Sequence, residues 1–106
     1  MCDGKDDKGK GGSQESICHN SYHEGTMQSV GLVKGNKVQW TCGVFLPGEH
    51  RFDNAKIRET IHVTHGAIEI NGVMYTPDSP EPAIVEAGGE IVMIAATASS
   101  HLCFYG

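Results

Sequence analysis

Between Gly43 and Gly66 the sequence reads GVFLPGEHRFDNAKIRETIHVTHG, and it gathers Glu49, His50, Arg51, Arg58 and Glu59 within a few residues of one another. These are types that can handle an anionic or hydroxylated ligand. An arginine guanidinium presents a planar fork of donors that fits carboxylate or phosphate oxygens two at a time. A carboxylate accepts hydrogen bonds from hydroxyl groups and opposes positive charge that develops beside it. The competing explanation is structural, a buried ion-pair network of Arg51 with two carboxylates, and it carries equal weight.

Side-chain parity then says which of these residues meet. In an extended segment alternate residues share a face, so Glu59 goes with Ile61 and Val63, while Thr60, His62 and Thr64 face the other way. If the Ile61 and Val63 face is interior, Glu59 points inward. Glu49 and Arg51 also share one face, which places both beside Glu59 if they too point inward.

The elements that must hold these residues read as short strands. Apolar or alternating runs cover Met27–Val33, Val38–Leu46, Thr60–Thr64, Ala67–Ile70, Val73–Tyr75, Ala83–Glu86, Ile91–Ala95 and Leu102–Tyr105. Turn residues separate them, and only Asp53–Arg58 could form a helical turn. Asn71-Gly72, between Ile68-Glu69-Ile70 and Val73-Met74-Tyr75, accepts the two positive φ angles of a type I′ hairpin. About eight strands in 106 residues predict one all-β domain, a sandwich or barrel, with no room for a second core. Residues 1–17 predict a disordered tail and 18–106 the folded domain. The first sixteen are rich in Gly, Lys, Asp and Ser and contain no aromatic residue, so burial could not offset their ordering entropy.

Charge and composition narrow the partners. The formal net charge is −5, from 13 acidic and 8 basic residues with no basic run outside the tail, which argues against a nucleic-acid partner. No apolar run has the length of a membrane span or a secretory core, so no membrane partner and a cytoplasmic location are expected. In that compartment Cys2, Cys18, Cys42 and Cys103 are expected as thiols, with Cys42 and Cys103 buried as small hydrophobes. The histidines do not suggest a metal. His62 and His65 are an odd number of residues apart and face opposite ways, His101 with Glu59 makes only two ligands, and His19 and His23 read as solvated.

The layout of the Gly43–Gly66 stretch resembles the first cupin motif: a glycine, five residues, His-x-His, a glutamate, six residues, a glycine. Here Glu49 and Arg51 stand where the metal-binding histidines would be. The residues Asn20-Ser21-Tyr22, Gly25, Ser29, Gly31, Gly43-Val44, Gly48-Glu49, Phe52, Ala55, Glu59, Val63, Gly66-Ala67 and Glu86-Ala87-Gly88 further resemble the pyrimidine/purine nucleoside phosphorylase family of small single-domain cupins. That resemblance implies a cupin (RmlC-like) β-barrel, or double-stranded β-helix. It implies phosphorolysis of purine and pyrimidine nucleosides to free base and ribose 1-phosphate, with phosphate as co-substrate, no metal and no other cofactor. It also implies a homodimer.

In such a reaction Arg51 would hold phosphate, with Arg58 or His50 as helpers, and Glu49 and Glu59 would oppose the sugar's positive charge. Phe52, Tyr75 or Trp40 would stack on the base, and His101 would stand near the second cupin motif. The sequence departs from the family pattern after Ile94, where Ala95–Ser100 lacks the expected proline and a closing strand, His101–Tyr105, arrives early. The alternative that this departure favours is a cupin that binds or senses a small ligand without catalysis.

Overall fold

The computed structural model of the chain describes residues 14–106. Ten strands follow in order: β1 (Glu15–Tyr22), β2 (Met27–Lys34), β3 (Lys37–Phe45), β4 (Gly48–Phe52), β5 (Glu59–His65), β6 (Ile68–Ile70), β7 (Val73–Tyr75), β8 (Ala83–Val85), β9 (Ile91–Ala95) and β10 (Ser99–Tyr105). A single 3₁₀ turn, His23–Gly25, joins β1 to β2. The strands form a six-stranded sheet, in the order β1-β2-β3-β10-β5-β8, and a four-stranded sheet, in the order β4-β9-β6-β7. Every pairing is antiparallel. This is the all-β, cupin-like fold expected from the sequence.

Period-two burial explains the layers. In β2, Met27, Ser29, Gly31 and Val33 turn inward, and in β9 Ile91, Met93 and Ala95 do so. The core joins Phe45, Ile61 and Val63 of the larger sheet to Ile68, Ile70, Ile91 and Met93 of the smaller one. The early closing strand is accommodated without a gap, because β10 runs between β3 and β5 and pairs with both.

Several expectations change. The tail expected over 1–17 lies outside the described residues up to position 13, but Glu15, Ser16 and Ile17 belong to β1, paired with Lys34, Val33 and Leu32. Asp53–Arg58 is not helical. Its loop is tied down where the Ala55 amide donates to Gly89 O (2.8 Å) and the Gly88 amide donates to Ala55 O (2.7 Å). Cys103 is a buried free thiol as expected, but Cys42 is free and exposed, because the register turns it outward. Cys18 is disulfide-bonded, against the expectation of a thiol; Cys2 lies outside the described residues. Among the described residues no helix is long and apolar enough to cross a membrane.

The Asn71-Gly72 turn is as predicted, with φ of +50° and +89° and Ile70 paired to Val73. The Asn71 side chain does more than tolerate that conformation. Its Nδ2 donates to Glu90 O at 3.0 Å and its Oδ1 accepts from the Val92 amide at 2.9 Å, which ties the hairpin to β9. Asn71→Ala should therefore cost about 1–3 kcal/mol of unfolding free energy, from the lost bonds and from alanine's strain at positive φ. Asn71→Gly keeps the backbone relaxed and should cost less. Urea unfolding of the two variants checks the order.

Candidate active site between the two sheets

Cross-strand pairing assembles the site on the inner face of the six-stranded sheet. Asn20 pairs with Ser29, Ser29 with Gly43, and Gly43 with His101, so one row across four strands is polar or side-chain-free. The next row toward the C-terminal end of β10 holds Gly31, Thr41, Cys103 and Ile61, and beyond it Tyr105 pairs with Glu59. An inner face that carries Asn, Ser, Thr, His and Glu cannot close on itself as an apolar core would. It borders a cavity of about 670 Å³, a volume within the ordinary range for small-molecule sites.

The cavity has distinct regions. Asn20, Ser29 and His101 belong to its inner polar row, while Tyr22 and Phe52 form an aromatic wall, with their rings edge-to-face at 5.2 Å. Thr41, Glu59, Cys103 and Tyr105 line the middle. Lys37, from the start of β3, and Lys56, from the loop after β4, line it from exposed positions, as does Asp53. The ionisable cations and carboxylates of this lining balance, two lysines against Asp53 and Glu59.

Burial sets the protonation of the middle. The Glu59 Oε1 accepts from the Cys103 thiol at 3.3 Å. Desolvation nonetheless raises the Glu59 pKa, with that hydrogen bond pulling the other way. The Cys103 thiol is pushed up by burial and by the nearby Glu59 charge, so it remains protonated and serves as a donor. The Tyr105 hydroxyl, bonded to Thr41 Oγ1 at 3.0 Å, is likewise raised, first by burial. His101 is 5% exposed, its Nδ1 is buried without a hydrogen-bond partner, and desolvation lowers its pKa to about 4. Its imidazole is neutral at pH 7.

Of the residues singled out from the sequence, Glu59, Phe52 and His101 line this cavity together. The inward orientation of Glu59 follows its parity with Ile61 and Val63. Glu49 and Arg51 do not join it. They stand on the outer face of β4, where Arg51 Nη2 lies 3.0 Å from Glu49 Oε2 and Nη1 lies 3.1 Å from Glu90 Oε2. The parity was right and the face was wrong: His50, between them, is the inward residue, opposite buried Met93. A neutral imidazole costs far less to bury than a guanidinium, so the strand turns its charges to water.

His50 packs edge-on to Phe45 behind the cavity, with Nε2 3.1 Å from Leu46 O and Nδ1 3.0 Å from His23 Nδ1. His23, expected to be only solvated, is thereby tied to β4. Arg58 is exposed and pairs with Glu86 at 3.2 Å. Tyr75 borders a separate, water-sized pocket of about 30 Å³. Among the described residues no three His, Cys, Asp or Glu side chains converge to hold a metal ion.

Sequence reasoning missed Tyr22, Thr41, Tyr105, Lys37 and Lys56. The parity of His101, Cys103 and Tyr105 would have found Tyr105. The lysines could not be found that way, because they are brought in by a hairpin and a loop rather than by strand alternation.

Comparison with known proteins agrees with this architecture. The family model for pyrimidine/purine nucleoside phosphorylase matches residues 17–105. A protein described as a pyrimidine/purine nucleoside phosphorylase from Pseudomonas putida (strain W619) is 31% identical over 90 residues, which cover 81% of this chain and 94% of the relative. One of the same description from Pseudomonas entomophila (strain L48) is 41% identical over 51 residues, 48% of this chain and 52% of the relative. Among solved structures, a protein of unknown function from Vibrio parahaemolyticus superposes with a TM-score of 0.69 at 30% identity, covering 86% of this chain and 99% of that one. Another, from Acinetobacter sp. ADP1, gives 0.58 at 17% identity, covering 87% and 94%, and shares the fold.

The buried neutral imidazole makes stability depend on pH in a defined direction. The unfolded chain protonates His101 near the ordinary value of 6.5, the folded one only near 4. The folded state therefore loses stability relative to the unfolded as pH falls through that window, and keeps it in full above. The loss approaches about 3 kcal/mol at the low end. His101→Leu lacks this term while retaining Glu59, whose raised pKa acts in the opposite sense. Urea midpoints at pH 7 and pH 4.5 should show wild type losing more stability than His101→Leu; a parallel loss would contradict the assignment.

Proposed function

Since this chain belongs to the pyrimidine/purine nucleoside phosphorylase family, we propose that the cavity between its two sheets is a phosphorolytic active site for purine and pyrimidine nucleosides. The observation that carries the reading is the Glu59 carboxyl, set in the wall of a cavity with aromatic rings on one side and lysines among its exposed lining.

In phosphorolysis the bond from the sugar C1′ to the base nitrogen breaks, and its electron pair stays with the base. A phosphate oxygen forms the new bond to C1′. The proton of hydrogen phosphate ends on the base, giving free base and ribose 1-phosphate. The transition state carries positive charge on the sugar. Glu59 is suited to oppose it, because its carboxylate is desolvated and bonded only to a thiol, so its attraction for a cation is little screened. That attraction exists only once charge has developed, which is the condition for raising kcat rather than merely tightening binding.

Lys37 and Lys56 take the role first expected of Arg51, holding phosphate as point charges from two separate elements. Tyr22 and Phe52 flank the base. The co-substrate is phosphate, and the reading requires no metal. The same cavity in a binding or sensing protein would take nucleoside without phosphate-dependent cleavage. The reading also includes a homodimer, supported by exposed apolar residues on the outer face of the six-stranded sheet, where Val30, Val44 and Phe104 are 45%, 57% and 42% exposed.

Incubation with a panel of nucleosides, with and without phosphate, should release free base and ribose 1-phosphate only when phosphate is present, with or without chelator. Glu59→Gln should lower kcat by roughly a hundredfold or more. Lys37→Ala and Lys56→Ala should each raise the KM for phosphate by about tenfold while leaving the nucleoside KM nearly unchanged. Phosphate-independent release, or full activity in Glu59→Gln, would refute the reading. Light scattering at micromolar concentration should give twice the chain mass.

A further inference from the structure

His101 is held too firmly, and left too incompletely bonded, to be only a packing residue. Its ring lies over Gly43, where an added Cβ would stand 2.7 Å from Cε1, and the Phe45 ring closes on it edge-on at 5.8 Å. The side chain is thus fixed on the cavity wall, and the glycine opposite is what leaves room for it. Its Nδ1 is enclosed without a partner. A neutral imidazole carries one N–H, and enclosing an unpaired N–H is the rarer and more costly of the two choices. The proton is therefore assigned to Nε2, and the ring meets the cavity as a hydrogen-bond donor.

We propose that His101 Nε2–H is the contact that reads the nucleobase, at the one acceptor that purine and pyrimidine nucleosides share. Purine N3 and pyrimidine O2 each lie two bonds from the glycosidic nitrogen, on the same side of the base, and every common base has an acceptor there. Both atoms also gain negative charge as the glycosidic bond breaks, so a donor at this point binds the substrate and binds the departing base more strongly. One donor then serves both base classes, which a site built around the other base edges could not do.

The spacing fits. Glu59 reaches the Cys103 thiol, and Cys103 is two residues from His101 on the same face of β10, about 7 Å along the strand. A sugar beside Glu59 therefore has its base within reach of His101. The proposal rests on the nucleoside reading of this cavity, and it deepens that reading by naming the base atom recognised.

Calorimetric binding in the absence of phosphate tests it without relying on turnover. The probes are adenosine, 3-deazaadenosine, in which N3 is replaced by C–H, and 7-deazaadenosine as the control. Wild type should bind 3-deazaadenosine roughly ten- to a hundredfold more weakly than adenosine, and 7-deazaadenosine about equally with adenosine. His101→Leu should bind all three alike, and His101→Gln, which keeps a donor, should restore part of the discrimination. Equal binding of adenosine and 3-deazaadenosine by wild type overturns the proposal even if phosphate-dependent base release stands, and that comparison needs no folded variant. Discrimination that His101→Leu abolishes, in a protein that releases no base with phosphate, upholds the base contact and removes the phosphorolysis. Failure of wild type to bind any of the three overturns the base contact, and phosphate-dependent base release then decides the phosphorolysis separately.

Discussion

The seating of β10 between β3 and β5 is the pairing on which the rest of the domain depends. A strand from the end of the chain becomes the middle of the larger sheet, so its inward residues are delivered to the centre of the cavity rather than to an edge. His101 is set against Gly43, Cys103 against Thr41 and Ile61, and Tyr105 against Glu59. Had the strand slipped by one residue, all three would face water and the outward Leu102 and Phe104 would fill the interior. Register here therefore decides which side chains border the cavity.

Placing polar groups along that row is costly, and the cost is what makes the row a candidate site. Burial shifts the pKa values of Glu59, Cys103 and Tyr105 upward and that of His101 downward, each toward the neutral form. Where partners exist they are local: thiol to carboxylate, phenol to threonine. Among the described residues no cation pairs with Glu59 directly. A fold under selection for stability alone would put apolar residues in these positions, as it does at the adjoining Ile68 and Ile70. The polar row of Asn20, Ser29 and His101 thus shares the interior with core residues such as Ile61, Ile91 and Met93, which border the same cavity.

Much of this was legible in the sequence, for reasons that differ by residue. The runs of β5 and β9 announce strands because their inward faces are apolar, while β2 and β3 are legible from their β-branched and apolar residues on both faces and the β6–β7 hairpin from its Asn71-Gly72 turn. Glu59 could be turned inward because it shares a strand with Ile61 and Val63. β1 was hidden because its inward residues include Cys18 and Asn20 while Ile17 faces out, which inverts the usual signal. β4, with the sequence GEHRF, was read for chemistry rather than as a strand. Its charged residues would face inward only by likeness to a metal-binding motif, whereas solvation favours the opposite face. Arg51 is thus a surface ion-pair partner, a type of contact that contributes little to stability.

The proposed phosphorolysis puts substrates in the space between the sheets, with the sugar at Glu59. A crystal structure of Glu59→Gln grown with a nucleoside and phosphate tests this most directly. Density is expected for the base between Tyr22, Phe52 and His101, the ribose beside position 59, and phosphate within reach of Lys37 and Lys56. Nucleoside bound outside this cavity, or phosphate held instead by Arg51 on the outer face of β4, would contradict it.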